Sequence, residues 1–451
     1  MSLLDPLFGW DVVDRIFSDS VHLQRMLDFE AALARAEAQL NVIPAGAATP
    51  IATQCRAEHL DMPSLARAAA DAGNLAIPLV KQLTRRVEQV DSDAARYVHW
   101  GATSQDVIDT ALILQLREAF DAIEADLHRL CQTLALLASD HRATPMPART
   151  WLQHAVPTVF GLKVAGWLDA LNRHSTRLRQ ARERVLVLQF GGAAGTLASM
   201  GQDGLKVAKV LAKELQLGLP DLPWHSHRDR IAEVGTTLAL LTCTLGKIAR
   251  DISLEMQTEV AEVFEPAAEG RGGSSTMPHK RNPVICTAIL AAASQVPALA
   301  CTLLTGMPLE HERGLGGWHA EWESLPALVR QSAGALHHMV QLAEGLEVDT
   351  ARMRENLQAT QGLIFAEAVT MALGKQIGKP AAHKLIEQAS REAIAKKKHL
   401  RDVLCANPEF SAHMNAAELE SLFQPLNYIG VAGEFIDRAI TTSKTETREP
   451  R

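Results

Sequence analysis

From Asp106 to about His141 the chain has neither glycine nor proline. Its apolar residues Ile113, Leu116, Phe120, Ile123, Leu127, Leu130, Leu134 and Leu137 recur at steps of 3,4,3,4,3,4,3. That repeat lays a leucine-rich seam along one helix face and matches a left-handed bundle or coiled coil. A helix of about 35 residues is roughly 50 Å long, more than one compact subunit covers. A second long helix is expected with Pro157 in its first turn and an end near Leu188. Val234, Leu238, Leu241, Leu245, Ile248 and Ile252 repeat the pattern by 4,3,4,3,4. Two more helices fit residues 284–305, bent near Pro297, and 324–346. Five long helices predict an all-α fold around one elongated bundle. Their unmatched seams predict a homo-oligomer.

The flanks read differently. Ser18 to Ser20 offers caps for a helix through about Leu40, after which Pro44, Pro50, Pro63 and Pro78 punctuate short helical pieces. Beyond about residue 350 shorter helices return, with Gly374, Gly378, Pro380 and Pro408 between them. The expected division is an N-terminal helical domain 1–105, a central bundle 106–350 and a C-terminal helical domain 351–451.

Composition supports helices. Apolar residues make up 47% and aromatics only 4%, so the core is Ala and Leu rather than the Val, Ile and Tyr of a sandwich. A net charge of −7 offers no basic face for nucleic acid. Cys55, Cys131, Cys243, Cys286, Cys301 and Cys405 are far apart and read as buried, reduced thiols. The N-terminus lacks a basic leader, and no uninterrupted apolar stretch reaches the roughly 18 residues that span a bilayer. The expectation is a cytoplasmic protein with no membrane partner.

Four polar clusters interrupt the helical pattern. The densest, Gly272-Gly273-Ser274-Ser275-Thr276-Met277-Pro278-His279-Lys280-Arg281-Asn282-Pro283, sets hydroxyls beside fixed cations. Such a loop suits carboxylate or phosphate binding and favours the anionic form of a nucleophile or base. His99 to Asp106 precedes the first long helix, where free backbone donors and the Thr103 and Ser104 hydroxyls make a carboxylate cradle, with Ser104 or Asp106 as cap. Thr150 to Thr158 opens the second helix and carries His154, whose ring titrates near neutrality. Glu312 to Glu323 holds Trp318, Trp322 and alternating charges that line a pocket or cap a helix. Gly191 to Thr196 follows no strand pattern and reads as the turn between antiparallel long helices. His225 with His227, and His337 with His338, lack further ligands at zinc-like spacing. No metal and no cofactor are expected. Lys396-Lys397-Lys398 reads as a solvated helix face.

Together these clusters resemble the fumarase/aspartase superfamily along nearly the whole chain. Residues 273–283 match its signature loop, 99–106 its first shared region and 150–161 its second. The resemblance implies a homotetramer whose core is twenty long helices, with composite active sites drawn from three subunits. It implies addition or removal of a group β to a carboxylate through a carbanion, with no cofactor. Within the superfamily, Asp5 to Phe8, Ser18 to Glu37, Thr150 to Gln153 and Gly316 to Trp322 look most like its lactonising, cycloisomerase branch. There a small tricarboxylate from aromatic catabolism adds one of its own carboxylates across a double bond. Adenylosuccinate lyase, or another fumarate-releasing lyase, is the nearest alternative, and a non-catalytic helical scaffold a more distant one.

On this resemblance Ser274 is the acid/base that moves the α-carbon proton, stabilised by Lys280. Lys280, Asn282, Thr103, Ser104 and Gln153 hold the carboxylates. Trp151, Ser275 and Met277 belong to the substrate-binding set, and His99 and His154 orient a carboxylate or relay a proton. Many lyases of the family carry Thr-His where this chain has Thr150-Trp151. Indole has no basic site. An internal carboxylate nucleophile needs no base, since it is ionised at neutral pH, so the departure fits lactonisation.

Overall fold

A computed structural model describes residues 3–267, 272–273, 277 and 280–446. The fold is all-α. Its long helices are α2 (Ser104–Asp140), α3 (Phe160–Val185), α4 (Asp229–Glu255), α5 (Val284–Thr305) and α6 (Gly317–Glu344), preceded by α1 (Asp19–Gln39). The seam of α2 is buried as its spacing predicts: Ile113, Leu116, Phe120, Ile123 and Leu130 are 0% exposed. In α4, Val234, Leu238 and Leu245 are likewise 0% exposed.

The chain divides into two compact units. One comprises Met1–Asp126, His174–Gly246 and Ala288–His338. Within it α4 and α5 pack through small residues. A Cβ at Gly246 would stand 2.5 Å from Cβ of Ala293, and one at Gly235 would meet Leu303 Cδ1 at 2.6 Å. The two glycines lie about three helical turns apart, so one face of α4 is kept flat for the approach. The other unit comprises Leu127–Arg173, Lys247–Thr287 and Met339–Arg451. Its C-terminal helices close over a core that includes Leu357, Phe365, Leu373, Leu385, Leu404 and Phe410.

Several expectations are corrected. Residues 150–159 do not open a helix: β1 (Pro145–Thr150) and β2 (Gln153–Val159) pair antiparallel, and α3 begins at Phe160. Pro147 lies opposite Pro157, with a bulge between Pro147 and Arg149. In a two-stranded ribbon both strands are edges, so neither proline breaks a central ladder. α6 starts at Gly317 rather than 324, because Trp318 and Glu321 point into buried contacts. Gly191 to Thr196 does not join two long helices; a short helix, Gly204–Leu215, follows it before α4. Cys243, Cys301 and Cys405 are exposed, whereas Cys55, Cys131 and Cys286 are buried as expected.

By length and composition alone, α4 and α5 are apolar enough to cross a membrane. The most apolar window of α4 is 56% buried within the chain, as in a core helix, and that of α5 is 39% buried.

α1 hides an acid the sequence pattern does not reveal. Glu37 is 0% exposed, and neither carboxyl oxygen has a partner among the described residues. Burial, then the neighbouring Glu30, push its pKa up to about 9. The folded chain therefore keeps a proton that the unfolded chain releases above its ordinary carboxylate pKa, and stability falls with rising pH between those two values. Relative to wild type, Glu37→Gln should gain about 1 kcal/mol of stability per pH unit between about pH 6 and 8. Denaturant unfolding at those two pH values measures it; parallel losses in both proteins would refute the buried proton.

Candidate active site

The three polar segments are built by different local devices. In the first, His99 and Gly101 both take left-handed backbone, φ 59° and 70°. At Gly101 that φ favours glycine, and a Cβ there would also force the flexible Met200 side chain, whose Cε would lie 2.6 Å away, to shift. α2 starts at Ser104, and Asp106 in its first turn accepts the Thr103 N–H at 3.0 Å. Asp106 is fully buried and does more than cap. It accepts from the Gly191 and Gly192 N–H groups at 3.0 and 2.9 Å, from Gln189 at 3.2 Å and from His225 Nε2 at 2.8 Å. The aspartate thus ties the 189–192 loop to the start of α2, beside Thr103 and Ser104.

Two neighbours of this segment were missed or undervalued in the sequence. Arg313 places Nη2 at 3.3 Å from the Thr103 hydroxyl and from the Ala193 carbonyl, and Nε at 3.1 Å from Gln105 Oε1. Its cluster was visible as polar; its partners are 120 to 210 residues away in sequence, so spacing gave no sign. The second is Glu30, whose Oε1 lies 2.6 Å from His99 Nδ1. Burial disfavours a charged His99 ring, but Glu30 and then Asp106 outweigh it, and the net shift is upward.

The second segment is the β1–β2 hairpin. Trp151 and Leu152 form its two-residue tip with φ 52° and 62°. Both are exposed in the single chain, at 97% and 76%. Gln153 is exposed, and His154 stands opposite Arg149 in the ladder. Arg149 makes two bonds to the buried Glu262 carboxylate, 2.7 and 2.8 Å, and Asn356 donates to the same group at 2.8 Å. Burial, then the Arg149 charge, lower the pKa of His154. Its buried Nδ1 has no partner among the described residues. At neutral pH His154 is uncharged, which suits proton relay and not a cationic hold on a carboxylate.

In the third segment, Ser274 and Ser275 lie outside the described residues. The ends of the loop are described and are pinned. Asn282 N–H donates to Gly272 O at 2.9 Å, and a Cβ at Gly272 would stand 2.7 Å from Asn282 O. Arg281 is spent on structure: it bonds both oxygens of Glu347 at 2.8 and 2.9 Å and the Glu265 carbonyl at 2.6 Å, lying over the Phe264 ring. The Glu265 carboxylate caps α5 through the N–H groups of Ile285 and Cys286 at 3.0 and 2.7 Å. Met277 and Lys280 are exposed on the loop between. Among the described residues no group of three His, Cys, Asp or Glu is arranged to hold a metal.

An all-α chain with hydroxyls and an imidazole at the start of a long helix, and a lysine on a pinned glycine loop, carries groups suited to a carboxylate-handling lyase. The chain belongs to that family, the fumarase/aspartase superfamily: the family model described as lyase matches residues 10–298, and that described as adenylosuccinate lyase C-terminus matches 362–439. It is 57% identical over 97% of both chains to the 3-carboxy-cis,cis-muconate cycloisomerase of Bradyrhizobium diazoefficiens. Identity to the enzyme of that name from Pseudomonas aeruginosa is 54%, over 99% of this chain and 98% of the other. Among solved structures, the 3-carboxy-cis,cis-muconate lactonizing enzyme of Pseudomonas putida superposes with a TM-score of 0.95 at 50% identity, over 99% of each chain.

Proposed function

We propose that the protein lactonises 3-carboxy-cis,cis-muconate to 4-carboxymuconolactone in the protocatechuate branch of aromatic catabolism. The observation that carries the reading is the 57% identity across 97% of both chains to a relative with that activity in its name. Trp151 in place of a basic residue agrees with it, because the nucleophile is the substrate's own carboxylate. One carboxylate oxygen forms a C–O bond to an alkene carbon, the π pair moves to the adjacent carbon α to a second carboxylate, and that carbon takes a proton. Nothing leaves, so substrate and product are isomers.

The residue roles follow as part of the proposal. Ser274 delivers the proton to the α-carbon. Lys280, Asn282, Thr103, Ser104 and Gln153 hold the carboxylates, with Trp151, Ser275 and Met277 against the substrate. His99, above its ordinary pKa, supplies positive charge, and His154, below its own, is a proton relay. The active unit is a cytoplasmic homotetramer with composite sites, each subunit organised as 1–105, 106–350 and 351–451. The exposed hairpin tip and the half-covered α5 support an assembly of several copies.

Incubation with 3-carboxy-cis,cis-muconate and, separately, with adenylosuccinate distinguishes this from the fumarate-releasing alternative. Loss of diene ultraviolet absorbance in the first reaction, with no change in the second, is expected. Turnover of adenylosuccinate alone would overturn the proposal.

A further inference from the structure

Among the buried acids that the lactonisation steps leave unused, one is bonded to a histidine of the site. Glu30, on α1, is 1% exposed and bonds His99 Nδ1 at 2.6 Å through Oε1. Its second oxygen, Oε2, has no partner among the described residues. Burying a carboxylate with a single partner is costly, and the cost is offset only if that partner needs it.

We propose that Glu30 is a positioning residue for substrate binding: by holding Nδ1 it fixes the His99 ring so that Nε2–H is presented to a substrate carboxylate. The inference rests on reading 99–106 as a substrate-binding segment. Three observations carry it. The His99 backbone is left-handed, at φ 59°, which sets the direction of the side chain from a conformation few residues adopt. The His99 side chain is 17% exposed, and no described residue bonds its Nε2. Thr103, Ser104 and the start of α2 follow within a few residues, which concentrates hydroxyl and backbone donors near it.

The charge state decides whether Nε2 can serve. A neutral ring bonded to Glu30 through Nδ1–H has a bare acceptor at Nε2, which repels a carboxylate; the imidazolium donates from both nitrogens. Burial opposes the charged ring, while Glu30 on α1 and Asp106 on α2 favour it and prevail. Two other titratable groups feel the Glu30 charge, Glu37 and Cys55, and neither is charged near neutral pH. Glu37 on α1 is pushed up by burial and by Glu30 and stays protonated, and the Cys55 thiol is pushed up chiefly by burial. Arg35 and Asp28 act on Cys55 with opposite signs.

The test is the pH dependence of KM and kcat for wild type, Glu30→Gln and His99→Asn. In wild type, KM should stay low through the ordinary histidine range, about pH 6.5, and rise only above it. In Glu30→Gln the rise should begin about one pH unit lower, with KM near neutrality about tenfold higher and kcat within about threefold. A purely structural role would lower active-enzyme yield without moving the KM profile. If His99→Asn raises KM while Glu30→Gln keeps the wild-type profile, the proposal falls and the site reading stands. If His99→Asn leaves KM unchanged, the site reading fails and takes the proposal with it. Should Glu30→Gln not fold, the wild-type profile decides: a rise above the ordinary histidine range that His99→Asn abolishes supports the proposal, and a rise at or below that range overturns it.

Discussion

Arg228→Ala should destabilise the fold by about 3–5 kcal/mol, among the largest stability effects expected of a single substitution in this chain. Arg228 is fully buried and bridges two buried carboxylates. It bonds Asp109 at 2.7 and 3.0 Å and Glu321 at 2.9 and 2.5 Å. Trp318 Nε1 and Gln105 Nε2 donate to Asp109 at 3.0 and 3.1 Å, and the guanidinium lies 4.9 Å from the Trp224 ring centroid. One cation thus answers two anions in a buried site. Removing it leaves both carboxylates buried and forces at least one to take a proton. Glu321 already shows the pressure, since burial raises its pKa against the pull of Arg228. Arg228→Lys should recover only part of the loss, because an ammonium cannot span both partners in two-pronged geometry. Denaturant midpoints of the three proteins measure it; a loss under about 1 kcal/mol for Arg228→Ala would show that the network is not needed for the fold.

Ser274→Ala should lower kcat by about 100- to 10,000-fold and change KM by no more than a few-fold. Carbon accepts a proton slowly unless an acid is placed against it, and a serine hydroxyl is a weak acid in water. It becomes competent if positive charge stabilises the alkoxide it leaves behind. Lys280, six residues on, is the candidate for that charge, on a loop whose ends Gly272, Arg281 and Asn282 hold in place. A stopped assay of lactone formation, with substrate binding followed separately by calorimetry, separates the two constants. Retention of kcat within about tenfold would remove Ser274 from proton transfer.

Much of the fold was legible because seams and seam burial are the same information. The 3,4 steps of α2 and α4 say which side chains are hidden before any partner is known. The hairpin was not legible: Pro157 in front of an apolar run looks like the start of a helix, and only its pairing with Pro147 marks it as a strand. The start of α6 was missed because Gly316 and Gly317 read as loop, whereas Trp318 and Glu321 are drawn inward by Asp109 and Arg228. The family was readable from residues 99–106, 150–161 and 273–283, and the relatives agree with that resemblance. The structural neighbours of those motifs were not. Arg281 read as one of the loop's fixed cations and is bonded to Glu347; Asp106 looked like a cap and holds a distant loop. Glu30 and Glu37 sit among alanines on α1, where the spacing of apolar residues gave no sign that the two acids are buried.

The hairpin tip has one further consequence. A two-residue turn with both φ values positive is the natural place for Asn-Gly. Trp151 and Leu152 hold it at a strain of roughly 1–2 kcal/mol each. An Asn-Gly tip would fold more readily and would offer no indole. Replacing the pair by Asn-Gly should therefore raise stability while removing both exposed apolar side chains from the tip.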